Sequence, residues 1–376
     1  MKKTKLLMLV LTASILVTQT SCEEKSSDKQ VTDGYGYDFT ETINGYVDNV
    51  VLTTYADLKN KAWTLYDAVE KFKAAKTQAN LDAVCNAWRA TRIPWEQSEG
   101  FLFGPAEQLS IDPSIDSWPL DKAQIDAVIA NTSLEITLDA IASSNVHGFH
   151  TIEYLIFEDG KAKAVAKLTD REVDYLSVAT LSLRNDCLKL YGAWAGSAKL
   201  EGRDKTTLAQ MEFNSDLYDF ASRFKKAGKP GSTYVSANDA IDQIVDGCVD
   251  IASEVGSQKI DGPSKSGNVL DVESWYSWNS IDDFANNIVS IRNSYFGGVG
   301  SSSATASKSS LSAFVKSKNP ALDSEISAAI DKCFKAINND MNRPFRNNLT
   351  GAKVQAAIVA CGELEKSFGK IKSLRD

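Results

Sequence analysis

Histidine is the scarcest of the residues that commonly carry chemistry in this sequence. The chain of 376 residues has two histidines, His147 and His150, so a histidine-dependent site must be built around this pair. There is no H-E-x-x-H motif, in which two histidines hold zinc beside a catalytic glutamate, and no G-x-S-x-G serine elbow. The sequence therefore offers no recognisable zinc-peptidase or serine-hydrolase motif.

Long apolar runs and closely spaced cysteines are also missing. Beyond the first 21 residues, no segment approaches the ~18 uninterrupted apolar residues that a membrane-spanning helix needs. The five cysteines after Cys22 include no C-x-x-C pair, which predicts small buried core residues, with one long-range disulfide as the alternative. Acidic residues number 49 against 41 basic ones, and no basic stripe alternates with aromatics, so nucleic acid is not an expected partner.

The first residues have the order of a secretory signal. Three lysines precede an apolar run, and small residues then lead to Cys22. This order predicts a lipoprotein signal peptide over 1–21, acylation of Cys22, and a polar, flexible tether over 22–37. An ordinary signal peptide cut at the same place is the alternative. We therefore expect a cell-envelope protein that is lipid-anchored to the outer membrane, on its periplasmic or surface side.

Helical periodicity dominates the rest of the chain, and no run of alternating β-branched residues predicts a sheet. Apolar residues recur three and four apart, as on one face of a helix, over 38–76, 81–103, 170–194, 206–224, 237–255, 280–295, 309–315, 324–337 and 353–368. The body exceeds the ~250 residues at which a single core stops growing, so two domains are expected. We place them at 38–165 and 166–376.

Both histidines lie in the segment 145–157. Good capping residues at 143–145 predict that a helix begins here, and His150 and Glu153, three apart, then lie on one face of it. An imidazole beside a carboxylate can share a metal ion, or the carboxylate can fix the orientation of the ring. An ordinary structural hydrogen bond between the two is the alternative. His147 is interpreted as a helix-start residue, with a further ligand as the alternative.

A second group of candidates lies in the segment 87–105. Pro94 removes a helical hydrogen bond, so the helix is predicted to kink or restart there. Arg92 can pair with Glu96 four residues later on the helix surface, which leaves Glu99 without a helical partner. We therefore interpret Glu99 as a site residue and Glu96 as a solvated one.

The segment from Gly148 to Glu153 matches the G-x-H-x-x-E signature of the imelysin family. Similar landmarks occur at 88–105, 116–119, 278–298 and 343–345, so the resemblance covers nearly the whole mature chain. It implies an all-α protein with two helical domains, each built round a four-helix bundle. The signature helix is then expected near the junction of the two domains.

The resemblance also implies a connection with iron acquisition. His150 and Glu153 match the signature, and Glu99 and Asp116 are similar to the acidic residues that accompany it in the iron-uptake branch. Asp116 taken alone is explained as a turn or cap residue. The four together would form a mixed nitrogen and oxygen shell suited to a divalent or trivalent ion such as iron or zinc. Haem is less favoured, because a lone histidine among carboxylates makes a poor apolar pocket.

Three functions are weighed. The favoured one is a cell-envelope metal-binding protein that supports iron or haem uptake together with an outer-membrane partner. The second is a metallopeptidase with Glu153 or Glu99 as general base, which follows from the peptidase label of the family alone. The third is a non-catalytic docking module in which the His–Glu pair is structural. The first requires that Glu99, Asp116, His150 and Glu153 converge in space.

Overall fold

Helices provide nearly all the regular structure, as the periodicity predicts. The structure is a computed structural model and describes residues 34–375. Within this range the α-helices are α1 (Thr40–Tyr46), α2 (Leu52–Ala74), α3 (Gln78–Glu96), α4 (Pro105–Gln108), α5 (Ile111–Ile115), α6 (Lys122–Ala130), α7 (Phe149–Ile156), α8 (Asp170–Ala195), α9 (Gly202–Gln210), α10 (Phe220–Lys225), α11 (Ala237–Glu254), α12 (Asp261–Ser266), α13 (Ser280–Phe296), α14 (Leu311–Lys318), α15 (Pro320–Lys335) and α16 (Ala352–Gly369). A short antiparallel hairpin joins β1 (Phe157–Glu158) to β2 (Lys161–Ala162), with Phe157 opposite Ala162. The prediction of an all-α fold is confirmed.

The first group of helices consists of α2, α3, α7 and α8, which pack along one another. The helix starts follow the local sequence: the Thr77 side chain accepts a hydrogen bond from the backbone N–H of Asn80 at the start of α3. A reciprocal capping box between Thr169 and Glu172 begins α8. The core of this group is aromatic, and Trp88, Trp95 and Trp194 are among its largest fully buried side chains.

The second group consists of α11, α13, α15 and α16, which again pack as neighbours. A capping box between Ser236 and Asp239 begins α11. Apolar residues at helical spacing, such as Ile244, Cys248 and Ile251, are buried in α11, which packs against α13 and α16.

The two groups meet where α3 ends. The 3₁₀ turn Glu99–Phe101, directly after α3, contacts both α11 and α13, and α3 itself contacts α13. The approach is close, because a Cβ atom built on Gly247 of α11 would lie 2.2 Å from the carbonyl oxygen of Gly100. The division into domains at residues 165 and 166 stays a prediction; α8, which follows that point, packs in the first group.

Several local predictions need correction. The segment 38–76 is helical throughout its central part, but a π-helical turn, Val47–Val51, separates α1 from α2. The segment 206–224 is not one helix, since α9 ends at Gln210 and α10 begins at Phe220. The helix predicted to begin after 143–145 begins at Phe149 instead, because a 3₁₀ turn, Ser144–Val146, uses those capping residues first.

The cysteines and the hydropathy agree with the sequence analysis. The five cysteines that the structure describes are free, buried thiols, which confirms their interpretation as core residues. Within residues 34–375, none of the helices combines the length and the apolar character that crossing a bilayer requires. The lipidation residue Cys22, the signal peptide at 1–21 and most of the tether at 22–37 lie outside the described residues.

Candidate functional site

The end of α3 supplies the first two charged residues of the site. α3 continues through Pro94 to Glu96 and does not restart at the proline. Arg92 and Glu96 form the ion pair that their spacing predicts. The interpretation of Glu96 as a solvated surface residue is wrong, because both side chains are fully buried. The pair faces α13, and the Nδ2 of Asn287 donates to Glu96 Oε2 at 2.6 Å.

Arg92 is the central cation of a buried cluster. Its guanidinium group lies 4.9 Å from the centroid of the Phe149 ring and contacts carboxylates from four different segments. These are Glu96 of α3, Asp116 after α5, Glu273 at 2.9 Å and Asp283 of α13 at 3.3 Å. A buried charge requires such pairing, since transfer of an unpaired charge out of water is very costly. Arg92 therefore connects residues that lie far apart in the sequence.

Gly148 of the signature sets the position of α7. Its backbone has a φ of 83°, a conformation that glycine adopts readily. A Cβ atom at this position would lie 2.3 Å from the carbonyl oxygen of Ile115, so any other residue would push the two segments apart. The start of α7 consequently lies directly against the end of α5, and this contact brings Asp116 next to His150.

Glu153 holds the inner side of the His150 ring. His150 Nδ1 lies 3.0 Å from Glu153 Oε2, and the backbone N–H of Ser277 donates to Glu153 Oε1 at 2.7 Å. Both carboxylate oxygens of Glu153 are thus engaged behind the ring. The Trp118 ring packs edge-on against the imidazole with centroids 4.8 Å apart. These contacts fix the orientation of the ring and direct Nε2 towards the other carboxylates.

The outer nitrogen of His150, Nε2, lies close to two carboxylates but forms no hydrogen bond of acceptable geometry with them. Nε2 lies 3.0 Å from Asp116 Oδ1 and 3.7 Å from Glu273 Oε1. Among residues 34–375 none gives this buried nitrogen a hydrogen bond of acceptable geometry. Asp116, by contrast, accepts a hydrogen bond from Trp95 Nε1 at 2.6 Å on its second oxygen.

Charge interactions outweigh burial at these three groups. Burial alone lowers the pKa of His150, but the carboxylates of Asp116, Glu153 and Glu273 around the ring raise it well above its usual value. Burial alone raises the pKa of Asp116, but Arg92 and His150 bring it well below its usual range. Burial alone likewise raises the pKa of Glu273, but Lys259 and His150 lower it to about 2.

A cavity of about 510 Å³ opens beside this cluster. Its lining includes Glu99, Asp112, Asp116 and Glu273, together with further acidic side chains from α4 and α11. Lys259 is the cation in this lining, with Nζ 3.1 Å from Glu273 Oε2 and 3.9 Å from Glu99 Oε1. Carboxyl groups therefore outnumber the cations in the cavity.

Burial is the largest influence on the pKa values of the remaining acids. Burial raises the pKa of Glu96 and of Glu99 well above the usual range, although Arg92 or Lys259 opposes the shift. Burial, together with the Asp116 carboxylate, raises the pKa of Asp112 to about 6. The surroundings therefore disfavour the charged form of each of these three carboxyl groups.

The geometry brings possible metal ligands together in three overlapping groups. The ligand atoms of Asp116, His150 and Glu273 lie within 4.8 Å of one another, as do those of Glu96, Glu99 and Asp116, and those of Glu96, Glu273 and Asp283. The first group combines one imidazole nitrogen with carboxylate oxygens, the donor set that suits iron, zinc or manganese. The residues present therefore fit a metal ion, with Glu153 placed behind the histidine as the supporting carboxylate.

All four residues singled out from the sequence converge here, although their positions differ. Asp116 and His150 are 3.0 Å apart, Glu99 faces the cavity, and Glu153 lies behind the ring. His147 is elsewhere: its Nε2 lies 2.9 Å from Ser114 Oγ, and its Nδ1 lies 2.8 Å from the carbonyl oxygen of Ile141. It helps to form the turn that precedes α7, as its interpretation as a helix-start residue proposes.

Sequence reasoning missed Glu273, Asp283 and Lys259. Asp283 lies inside the segment 278–298, which is a landmark of the imelysin resemblance, and its spacing of four from Asn279 offered a signal. Glu273 lies in an irregular segment ahead of α13, where no helical period marks it. Lys259 follows the predicted helix 237–255 and resembles an ordinary surface lysine in sequence.

Comparison with known proteins places this arrangement in context. The sequence profile described as Imelysin matches residues 51–371. The chain is 32% identical over 257 residues to iron-regulated protein A of Synechococcus elongatus (strain ATCC 33912 / PCC 7942 / FACHB-805). That match covers 68% of this chain and 64% of the relative, so less than two thirds of the relative's length is matched.

Two solved structures have similar folds. A crystal structure from Parabacteroides distasonis ATCC 8503, described as a candidate iron-regulated protein A precursor, is 38% identical with a TM-score of 0.79. That similarity covers 90% of this chain and 95% of the other. An imelysin-like protein from Psychrobacter arcticum 273-4 is 15% identical with a TM-score of 0.59, over 89% of this chain and 93% of the other. This second likeness concerns the fold alone.

Proposed function

The chain belongs to the imelysin family, and from this premise we propose that it binds a metal ion, iron or zinc, in support of iron or haem uptake at the cell envelope. The proposed ligands are Asp116, His150 and Glu273, with Glu99 at the cavity side of the site. Glu153 is a positioning residue. The metal supplies positive charge that the carboxylates of the cavity lack.

The observation that carries this proposal is the outer nitrogen of His150, which faces carboxylates without a well-directed hydrogen bond. Nε2 is buried, lacks a hydrogen bond within the described chain, and lies 3.0 Å from Asp116 Oδ1. With metal–ligand bonds of ~2.0–2.2 Å, two adjacent ligand atoms on one ion lie about 3 Å apart. The spacing of the two atoms thus suits two neighbouring ligands of an ion.

Iron is the ion that the relatives suggest. The proteins from Synechococcus elongatus and Parabacteroides distasonis carry names that describe them as iron-regulated. A mixed shell of one imidazole and several carboxylates is compatible with iron and also with zinc. We therefore propose iron as the ion that the site binds and retain zinc as the second ion for the test.

A peptidase activity has less support from the geometry. Glu153 would be the general base of an H-x-x-E hydrolase, but Ser277 and His150 engage both of its oxygens on the side away from the cavity. A general base must come within hydrogen-bonding reach of the water that it activates. Glu99 faces the cavity, but it lies close to Lys259 and in a group of carboxylates with Glu96 and Asp116, which offers no histidine to hold a catalytic zinc ion.

The test is a titration of the purified protein with Fe²⁺ under anaerobic conditions and with Zn²⁺, followed by calorimetry and metal analysis. His150→Ala should weaken binding by at least about 100-fold, because it removes the only nitrogen ligand. His147→Ala is the matched control, since it removes the other buried histidine, which lies outside the cluster. Equal binding by the wild type and His150→Ala, or the same loss in both variants, contradicts the proposal.

We also propose that Cys22 is acylated and anchors the protein to the outer membrane, from which it would serve an uptake partner. The support is the order of charged, apolar and small residues ahead of Cys22. Metabolic labelling with a clickable fatty acid should mark the wild type and not Cys22→Ala. Release of the unlabelled variant from membranes, against retention of the wild type, would support anchoring; equal retention would contradict it.

A further inference from the structure

Lys259 occupies an unusual place in the site. It lies in the π-helical segment Val255–Ile260 that extends α11, and its side chain is 11% exposed in the lining of the acidic cavity. Single π-helical turns inside α-helices are frequent at functional sites. Lys259 is not among the proposed metal ligands.

The π-helical turn explains why the ammonium group points into the cavity. In an α-helix two residues five positions apart lie roughly 140° apart around the axis, since each residue turns by about 100°. In a π-helix hydrogen bonds join residues five apart, so such residues lie almost above one another. Glu254 and Lys259 consequently both line the cavity, with Lys259 Nζ 3.9 Å from Glu254 Oε1.

The partners of Lys259 are themselves proposed metal ligands. Nζ lies 3.1 Å from Glu273 Oε2, while Glu273 Oε1 faces His150 on the other side. Nζ also lies 3.9 Å from Glu99 Oε1, and Glu99 belongs to a second ligand group with Glu96 and Asp116. An ammonium group and a metal ion would therefore draw on the same carboxylates.

Arg92, the other cation of the cluster, differs from Lys259 in its access to the cavity. Its side chain is fully buried and is held by carboxylates and the Phe149 ring, so it has no route out of the cluster. Lys259 lies on the cavity wall, and one of its partners, Glu254, has a side chain that is 43% exposed. The ammonium group can thus withdraw towards the rim and keep an acidic partner there.

We propose that Lys259 is a displaceable internal cation that occupies the acidic cavity until a metal ion replaces it, and that it thereby sets the affinity of the site. This inference rests on the proposed metal binding and concerns its regulation. In the metal-free protein the ammonium group pairs with Glu273 and lies close to Glu99. Arrival of the ion releases Lys259 towards Glu254, and its return promotes release of the ion.

The first test compares metal affinities. Zn²⁺ alone is titrated into the wild-type protein, Lys259→Met and the control Lys59→Met. Lys59 is matched in burial, with a side chain 12% exposed and an ion pair to Asp204 at 2.6 Å, but it lies away from the cavity lining. Lys259→Met should bind Zn²⁺ at least about tenfold more tightly than the wild type, because a competing charge is removed. Lys59→Met should be unchanged.

The second test follows Lys259 in the wild type and so needs no variant to fold. The protein is treated with an acylating reagent for amines, with and without Zn²⁺, and the modified lysines are quantified by mass spectrometry. Modification of Lys259 should increase when Zn²⁺ binds, whereas modification of Lys59 should not change. This readout reports the position of the amine and is independent of any activity.

The outcomes separate the two proposals. If none of the proteins binds Zn²⁺ or Fe²⁺, the metal proposal fails and this inference fails with it. If the wild type binds but Lys259→Met binds equally or more weakly, or Lys259 keeps the same reactivity, the inference alone is overturned. If Lys259→Met binds and the wild type does not, the lysine is a fixed block, and both the metal proposal for the wild type and the inference of a displaceable cation are overturned.

Discussion

At the scale of single residues, Glu153 acts on the site through His150. It accepts from Ser277 and contacts His150 Nδ1, so it fixes both the ring position and the nitrogen that carries the proton. Supporting carboxylates of this kind typically change metal affinity by ~10–100-fold when removed. Glu153→Gln should therefore weaken binding by about that factor, and by less than His150→Ala does.

Calorimetric titration of Glu153→Gln beside Glu158→Gln would check this. Glu158 is the control, because it pairs with Lys167 on the surface and lies outside the cluster. Unchanged affinity in Glu153→Gln would show that Glu153 is dispensable for the orientation of the ring. A loss as large as that of His150→Ala would instead make Glu153 a direct ligand.

Protons should compete with the metal at the same residues. Burial and the neighbouring Asp116 raise the pKa of Asp112 to about 6, so this cavity carboxyl loses its charge as the pH falls through that value. The pKa of His150, which burial alone would lower, is raised by Asp116 and the other carboxylates around the ring, so its proton persists above the usual range. Metal affinity should therefore rise steadily between about pH 5 and pH 8.

Titrations at several pH values would test the sign of this dependence. Asp112→Asn should flatten the part of the profile near pH 6, since the titrating group is removed, and leave the part due to His150. Affinity that falls as the pH rises would contradict the assignment of these residues to the cation site.

The burial of single residues could not be predicted from the spacing of the sequence. The spacing of four predicted the ion pair between Arg92 and Glu96, but spacing is the same for a surface pair and a buried pair. Burial here depends on Asp283 and Asn287 of α13, which lie 191 residues further along the chain and cover the pair. The signature pair His150 and Glu153 was predictable because both residues lie on one helical turn.

At the scale of helices, the apolar spacing predicted the regular α-helices but not the π-helical turn. The stripes at 170–194 and 280–295 correspond closely to α8 (Asp170–Ala195) and α13 (Ser280–Phe296). The π-helical turn at Val255–Ile260 has no such signal, because its wider turn belongs to neither the helical nor the strand period. Lys259 was missed for this reason.

The contact between α11 and the turn after α3 depends on a glycine. A Cβ atom on Gly247 would lie 2.2 Å from the carbonyl oxygen of Gly100, which is backbone and cannot rotate away. Gly247→Ala should therefore destabilise the protein by roughly 1–3 kcal/mol, the usual cost of an overpacked contact. It should also weaken metal binding, because Glu99 lies beside Gly100.

Chemical denaturation of Gly247→Ala and Gly362→Ala would measure this effect. Gly362 lies in α16, and a Cβ atom added there would meet no atom within 4 Å, so its change to alanine should be neutral or stabilising by up to ~1 kcal/mol. Equal stability of the two variants would mean that α11 can shift away from the turn at no cost.

At the scale of the whole molecule, the site exists because distant segments meet around one charge. Ligands and partners come from α3, α5, α7, α13 and the irregular segment that holds Glu273, and the sequence contains no local pattern that joins them. The lack of a helical partner marked Glu99 as a candidate and the resemblance to a family added Asp116, whereas Glu273 required coordinates. Convergence of this kind depends on tertiary packing.

Arg92 is the residue on which this convergence depends most. Its removal as Arg92→Met leaves Glu96, Asp116, Glu273 and Asp283 without their shared cation, in a buried region where carboxylates are costly. Loss of one partner from a buried charge cluster typically costs ~3–5 kcal/mol. The variant should lose about this much free energy of unfolding, and part of the loss should be recovered in saturating Zn²⁺, because a bound ion restores positive charge. Arg343→Met is the control, since its side chain is 41% exposed and pairs with Asp282 at the surface, where such a pair contributes at most ~1 kcal/mol. Denaturant unfolding with and without Zn²⁺ would decide the matter: equal stability of the two variants would show that the carboxylates are neutralised by protons and do not need Arg92.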